Sequence, residues 1–458
     1  MKQIDGPKTP PIVQLVQWIA DPIGFMESNA KRYGDIFKTQ IGSKFPLVFI
    51  SDPEAIKEIF SADAAQFGAD RSGEVIQILL GQNSIVLLEG DRHQRQRQLV
   101  MPPFHGARMQ TYGQLICEIT EQIAQQWSLD KPFDVRASTQ DITMHVILKA
   151  VFGMNQESHS QKLHQEFGAL LNAIASPIQA SVLFFPFLQQ DWGAWSPWGR
   201  FKRLQQSVDR LIYSEIRERR ENPDPSRTDI MSLLLMARDE NGDAMTDEEL
   251  RDELVTLLLA GHESSATTLA WTLYWIHKLP DVKEKLLAEL ETLGENSDPL
   301  EIFKLPYLTA VCQETLRIYP VIFVTSSRVT KSACKLMDFQ FKAGTTLTPC
   351  IYLTHHREDL YPNPKQFKPE RFLERQYSPY EYLPFGGGNR RCIGMALAQY
   401  EMKLAIATIL RNLELALPDD RPVRPVRRGL TIAPSDNLRL VVKGRRTPNP
   451  TPVTTAAI

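Results

Sequence analysis

The sequence predicts a mainly α-helical fold with small β-sheets, an α+β protein, and three observations lead there. A long apolar helical pattern follows Thr246 and runs to about Lys278. Further helical patterns cover Pro306 to Tyr319 and Met395 to about Arg411. Only short segments show the two-residue alternation of a strand, chiefly Gly34 to Ser51 and the chain entering Arg328.

The totals exclude several classes. A chain of 458 residues suggests about three domains by length alone, but large single-core enzymes break that prior. The expectation is one domain over residues 1–445, helix-rich with a small β-rich N-terminal part. The Pro- and Thr-rich residues 446–458 read as a disordered tail. A formal charge of -2 without a basic block gives no pull toward nucleic acid or acidic lipid. Five cysteines without a C-x-x-C pair argue against a zinc site or disulfide framework and for a reducing compartment. The N-terminus lacks a signal-peptide pattern, and no stretch reaches the roughly 18 apolar residues of a membrane span. These features read as a soluble, cytoplasmic monomer with no transmembrane anchor.

Residues Gln17 to Tyr33 read as one amphipathic helix, followed by a hairpin around Gly42-Ser43. Asp52-Pro53 opens the next helix with proline in its first turn. Arg71 to Leu88 is apolar and poorly periodic. In Gly90 to Phe104, His93 and Arg97 are four apart and share a helix face, so two donors converge, although a solvated basic face has the same pattern. Helical patterns continue to Phe152, with Gly153 as the C-cap. Phe167 to Phe201 concentrates Trp192, Trp195 and Trp198, with Pro186 and Pro197 interrupting any helix. Asn222 to Arg227 is a polar connection. Thr246 and Glu249 form a capping box for the long helix.

Inside that helix, Ala260-Gly261-His262-Glu263-Ser264 interrupts the apolar stripe. Gly261 weakens the helix by about 1 kcal/mol relative to alanine, and Ser264 can bond back to a carbonyl one turn earlier. Glu263 and Ser264 place an acid beside a hydroxyl, a pair suited to moving protons. Two exposed polar residues would look the same. Glu314 and Arg317, three apart, pair on the helix Pro306 to Tyr319.

The chain is organised around Pro384 to Gly394, PFGGGNRRCIG, in which Phe385, Gly388, Arg390, Cys392 and Gly394 fit F-x-x-G-x-R-x-C-x-G. The glycines let the backbone turn, and the helix beginning at about Met395 favours a thiolate just before it. A thiolate near an arginine suits a metal cofactor bearing carboxylates. A buried structural cysteine is the competing reading.

With these motifs in order, the chain resembles the cytochrome P450 family from about Pro10 to about Lys443, and is similar to soluble bacterial members, including cyanobacterial ones. The resemblance implies a triangular prism with haem b (heme, iron protoporphyrin IX) between the long central helix and the cysteine-loop helix. It implies Cys392 as the iron's ligand, with His93, Arg97, Arg328, Phe385 and Arg390 around the cofactor. Gln98 stands where a second arginine often follows. Glu263 would bring protons in and Ser264, in place of the usual threonine, would hold oxygen and its water. Glu314, Arg317 and Arg371 would form a structural network. Val321, Ile322, Phe323 and Val324 would line the pocket, Ala398 would allow a close approach under the haem, and residues 167–201 would be a mobile lid.

The implied activity is a haem-thiolate monooxygenase placing one oxygen atom of O2 into a hydrophobic small molecule, a fatty acid or a terpenoid- or steroid-like compound. Arg71 is a candidate for holding a polar head. Because the chain has no G-x-G-x-x-G loop, electrons come from a separate donor, a ferredoxin with its reductase, landing on Arg92, Arg95, Arg391 and Lys403. A peroxygenase, a hydroperoxide-rearranging enzyme and a haem-based gas sensor are the alternatives.

Overall fold

The computed structural model describes residues 4–446 apart from 42–45, 63–65, 70–72, 107, 154–156, 175–181, 184–187, 194, 295–296 and 430. The expected disordered tail, the Gly42-Ser43 turn, Arg71 and Pro186 therefore lie outside the described residues, save Arg446, whose N–H bonds to the Asn412 carbonyl at 2.9 Å.

Two short helices open the chain, α1 (Pro11–Ala20) and α2 (Pro22–Tyr33). They replace the single helix expected from Gln17 to Tyr33. Asp21-Pro22 causes the break: proline cannot donate to the turn before it, and Asp21 caps the second helix by accepting from Gly24 N–H. Then follow β1 (Ile36–Thr39), β2 (Leu47–Ile50), α3 (Pro53–Ser61), β3 (Phe67–Ala69), α4 (Gly73–Leu80), α5 (Gly90–Val100) and α6 (Arg108–Ala124). Asp52 caps α3 through Ala55 N–H, as Asp52-Pro53 predicts. Next come β4 (Pro132–Asp134), α7 (Val135–Phe152), α8 (Glu157–Asn172), α9 (Pro197–Glu221), α10 (Ile230–Met236) and α11 (Asp247–Lys278). Gly153 ends α7 in the left-handed region at φ 56°. Pro197 does not interrupt a helix. It is the first residue of α9, capped by Ser196.

Thr246 and Glu249 close both halves of a capping box at the start of α11. The helix is unbroken for 32 residues. It packs on α7 along one side, and against α17 (Met395–Asn412) and α14 (Pro306–Ile318) on others. The helices α6, α7, α11 and α17 close a four-helix core around residues such as Ile142, Leu254, Leu269 and Leu404.

Between them run α12 (Pro280–Glu291), α13 (Pro299–Lys304), β5 (Arg328–Thr330), β6 (Cys334–Leu336), β7 (Phe339–Phe341), β8 (Thr346–Pro349), α15 (Ile351–His355) and α16 (Arg371–Glu374). The strands β9 (Leu413–Ala416), β10 (Pro425–Arg428), β11 (Thr431–Pro434) and β12 (Arg439–Arg445) follow α17. The main sheet has the order β1-β2-β8-β5-β3, with β2 and β8 parallel and the other pairs antiparallel. It packs beside the helical core through two apolar clusters of its own.

Candidate active site

The loop before α17 owes its shape to backbone bonds that only its glycines permit. Gly386 and Gly388 sit at φ 66° and 62°. The Gly386 N–H reaches the Leu383 carbonyl at 2.9 Å, and the Cys392 N–H reaches the Phe385 carbonyl at 3.0 Å. A Cβ on Gly387 would lie 2.4 Å from ring carbons of Phe60, so the loop lies directly on α3. Phe385 itself is partly buried against the helical core.

This hairpin-like turn presents Cys392 just ahead of α17. The side chain is reachable by water yet surrounded by protein on nearly every side, which places it at the floor of a concavity. Burial pushes its thiol pKa up, while the Gly394 N–H and the Arg97 and Arg391 guanidiniums pull it down without prevailing. The loop N–H does favour the thiolate as expected, but burial outweighs it in the protein by itself. A metal cation at the sulfur would shift the balance to the thiolate.

Four basic side chains converge near the same floor. His93 on α5 is buried, and burial followed by the charges of Arg390, Arg97 and Arg328 lowers its pKa to about 4. Burial and Arg390 together lower Arg328 to about 10. Arg97 donates to the Arg391 carbonyl at 2.9 Å, and Arg328 donates to Asn389 Oδ1 at 3.2 Å. Among the described residues neither Arg97 nor Arg328 has a carboxylate within ion-pair distance. Concentrated positive charge on partly buried arginines without paired carboxylates favours an anion. A porphyrin with two propionates, and iron for the sulfur, matches this donor set. Arg390 stands beside them with its two terminal nitrogens on the Ile85 carbonyl at 3.0 Å and on the Leu88 carbonyl.

On α11, the acid and the alcohol do not face each other. Glu263 accepts from Arg136 at 2.6 Å and from Gln140 at 2.9 Å, both on α7. Ser264 Oγ donates to the Ala260 carbonyl at 2.6 Å. Gly261 has a packing reason beyond helix weakening: a Cβ there would lie 2.7 Å from Ile147 of α7. His262 is buried, with Nδ1 3.0 Å from Thr143 Oγ1 and burial lowering its pKa to about 4.

Glu314, Arg317 and Arg371 do meet. Arg317 bonds Glu314 at 2.6 and 2.9 Å, and Arg371 bonds it at 3.1 Å. Arg317 also reaches the His355 carbonyl, and both arginines reach the Gln366 carbonyl. All three side chains are buried.

Other expectations change. Phe323 packs 5.2 Å from Trp18 within the N-terminal aromatic cluster, whereas Ile322 is exposed. Arg95 is committed to Asp239 and Glu249, and buried Lys403 donates to the Phe303 carbonyl, so neither belongs to a basic landing patch. Trp192 and Trp195 are exposed and stacked at 6.3 Å. The sequence reading missed Arg136 and Gln140, which carry no local signal at the start of α7. It also missed Glu253, fully buried on α11, which accepts from Ile85 N–H at 2.7 Å and Gln96 at 3.0 Å. An acid three residues after Leu250 on an apolar stripe was its visible sign.

A family model described as Cytochrome P450 matches residues 4–440. Cytochrome P450 135B1 of Mycobacterium tuberculosis is 34% identical over 454 residues, covering 98% of this chain and 93% of that protein. Cytochrome P450 135A1 of the same organism is 31% identical, covering 96% and 95%. Both names carry a family number and no substrate. Among solved structures, retinoic acid-bound cyanobacterial CYP120A1 matches with a TM-score of 0.84 at 25% identity, covering 96% of this chain and 99% of that one. The haem domain of cytochrome P450DA has the same TM-score at 23% identity, over 97% and 98%, and so supports the fold alone. Members of the family hold haem b through a cysteine thiolate and act as monooxygenases. The exposed cysteine, the two arginines without a paired carboxylate among the described residues and the matched length agree: this chain belongs to the cytochrome P450 family.

Proposed function

We propose that this P450 places one oxygen atom of O2 into a hydrophobic small molecule, a fatty acid or a terpenoid- or steroid-like compound, with Cys392 as the haem's thiolate ligand. The observation carrying this reading is a water-reachable Cys392 at the floor of a concavity beside Arg97, Arg328 and His93, with no carboxylate paired to either arginine among the described residues. When bound, haem b supplies reductive activation of O2 and oxidation of an unactivated C–H bond.

The chain's residues supply placement and protons. Arg97, Arg328 and His93 would hold the cofactor's carboxylates, and Arg390 would act through the turn at Ile85 and Leu88. The Glu314–Arg317–Arg371 network holds the loops that support the cysteine. Glu263, about a quarter exposed, takes a proton from water after its carboxylate leaves Arg136, and Ser264 passes one inward after leaving the Ala260 carbonyl. The retinoic acid in the cyanobacterial relative supports an apolar isoprenoid-like substrate. Electrons come from a separate donor, taken here as a ferredoxin. No helix among the described residues is long and apolar enough to cross a membrane.

The test is the CO-difference spectrum of the reduced protein, where the family's name-giving band reports the thiolate. Cys392→Ala should abolish that band. Retention of pigment, band and turnover in the variant would overturn the proposal. Spin-state titrations with fatty acids, terpenoids and retinoic acid identify the substrate class. Turnover with NADPH, ferredoxin and reductase, against peroxide alone, separates a monooxygenase from a peroxygenase.

A further inference from the structure

Away from the cysteine loop, α7 and α8 bring three metal-ligating side chains together. Asp141 and His145 lie one turn apart on α7, and His164 projects from α8. Asp141 Oδ1 is 3.3 Å from His145 Nδ1 and 3.6 Å from His164 Nε2. One donor atom from each residue falls within 4.8 Å of the others, and the two imidazole centroids are 4.8 Å apart. All three side chains remain reachable, at 33 to 48% exposure.

We propose that Asp141, His145 and His164 form a binding site for a divalent transition metal of the zinc type, joining α7 to α8. The chemistry is selective: two imidazoles and one carboxylate suit zinc, whereas magnesium and calcium prefer all-oxygen sets. The spacing also fits. Tetrahedral zinc with bonds of about 2.0–2.1 Å sets its ligand atoms about 3.3 Å apart. Two edges of the triangle are already close to that length, and the third closes by small side-chain rotations at the surface. A water completes the fourth position. His145 Nδ1 also lies 2.9 Å from the Asp141 carbonyl, so its proton is shared there in the metal-free chain. Zinc would bind Nδ1 of the neutral Nε2–H tautomer, so the Nδ1 proton is exchanged through solvent to Nε2, and a proton is released only where the ring started as imidazolium.

A plain ion-paired clasp is the competing account, and the two differ in what they bind. Asp141 is held well below the usual carboxylate range by hydrogen bonds from both imidazoles, and its bond raises His145. That describes the empty cluster, in which a proton occupies the position proposed for the metal.

The site would also have a mechanical effect. Asp141 follows Gln140, which holds Glu263, so a metal here fixes the stretch of α7 that positions the acid. It ties that stretch to α8, which leads toward the segment bearing Trp192 and Trp195.

The test uses metal-stripped, haem-loaded protein titrated with zinc chloride against a chromophoric chelator. The parent should take up one equivalent at low-micromolar affinity. His164→Ala and His145→Ala should each weaken that uptake at least about tenfold. His105→Ala, an exposed histidine outside the cluster, should leave it unchanged. Zinc should raise the melting temperature of the parent and not of His164→Ala. Asp141→Asn retains the shape of the cluster with a neutral ligand, so weaker binding in a variant with the parent's helix content excludes simple misfolding. Equal zinc affinity in the parent and both histidine variants, or equal uptake of magnesium, would overturn the proposal. The CO-difference spectrum is expected to be the same in all variants, so this outcome is independent of Cys392.

Discussion

Glu314 has no exposed surface and accepts from Arg317, Arg371 and the Lys368 N–H. Replacing it with alanine strands two buried guanidiniums, a loss of about 3–5 kcal/mol. Thermal unfolding should show a large drop, and purified Glu314→Ala should carry little haem. Normal haem content with an unchanged melting temperature would contradict this role. Glu253 makes a pH prediction. Burial raises its pKa from 4.5 to about 8, and its buried Oε2 has no partner among the described residues to compensate a negative charge. Because the folded-state value is the higher one, Glu253's contribution is fully present below about pH 4.5 and disappears as pH rises through about 8. Glu253→Gln should therefore gain stability relative to the parent across that window, measured by denaturant unfolding at several pH values. A constant difference between the two proteins would count against a protonated Glu253. These residues also show what a linear reading reveals. The spacing of Glu314 and Arg317 announces a pair, and the cysteine pattern announces a ligand. Nothing beside Arg390 announces the Ile85 and Leu88 carbonyls, and nothing near Glu263 points to Arg136, because those partners meet only after folding.

Secondary structure was legible where local chemistry decides it. Thr246 and Glu249 fix the start of α11, Asp52 that of α3 and Gly153 the end of α7, each through bonds within one turn. Thr246→Ala removes one side of the box and should lower stability by about 1 kcal/mol, read as a small fall in melting temperature. Proline was harder to place. Pro22 splits what looks like one amphipathic helix, whereas Pro197 begins one, and only the capping side chains Asp21 and Ser196 mark the first turn. Gly261 looks like a weak point of α11 yet serves its contact with Ile147. The loop offers a sharper test. Gly387→Ala pushes a methyl group into the Phe60 ring, and relieving it should cost about 1–3 kcal/mol. Partial loss of the CO-difference band should accompany that destabilisation, whereas an unperturbed spectrum would show that the loop tolerates separation from α3.

For the whole molecule, the overall class was readable because long helices leave long periodic signatures, while strands of three or four residues, as all the described ones but β12 are, leave almost none. The five-stranded sheet combines segments from residues 36 to 349, an order no local pattern encodes. Docking of an electron donor belongs to this scale as well. Arg391 adjoins Cys392 and is exposed, and Arg92 is exposed on α5, so these two remain of the expected basic patch. Arg391→Glu should slow reduction by an acidic ferredoxin about ten- to a hundredfold at low salt, with the gap narrowing as ionic strength rises. Stopped-flow reduction measures this directly, and equal rates at every salt concentration would rule out docking at this face. One residue has a wider consequence. Ile85 gives its N–H to Glu253 on the central helix, while its carbonyl is gripped by Arg390 from the cysteine loop. That residue is a rivet between two walls distant in sequence. Loosening it from the helix side should broaden or shift the iron's optical signature, although the change touches neither the metal nor its sulfur.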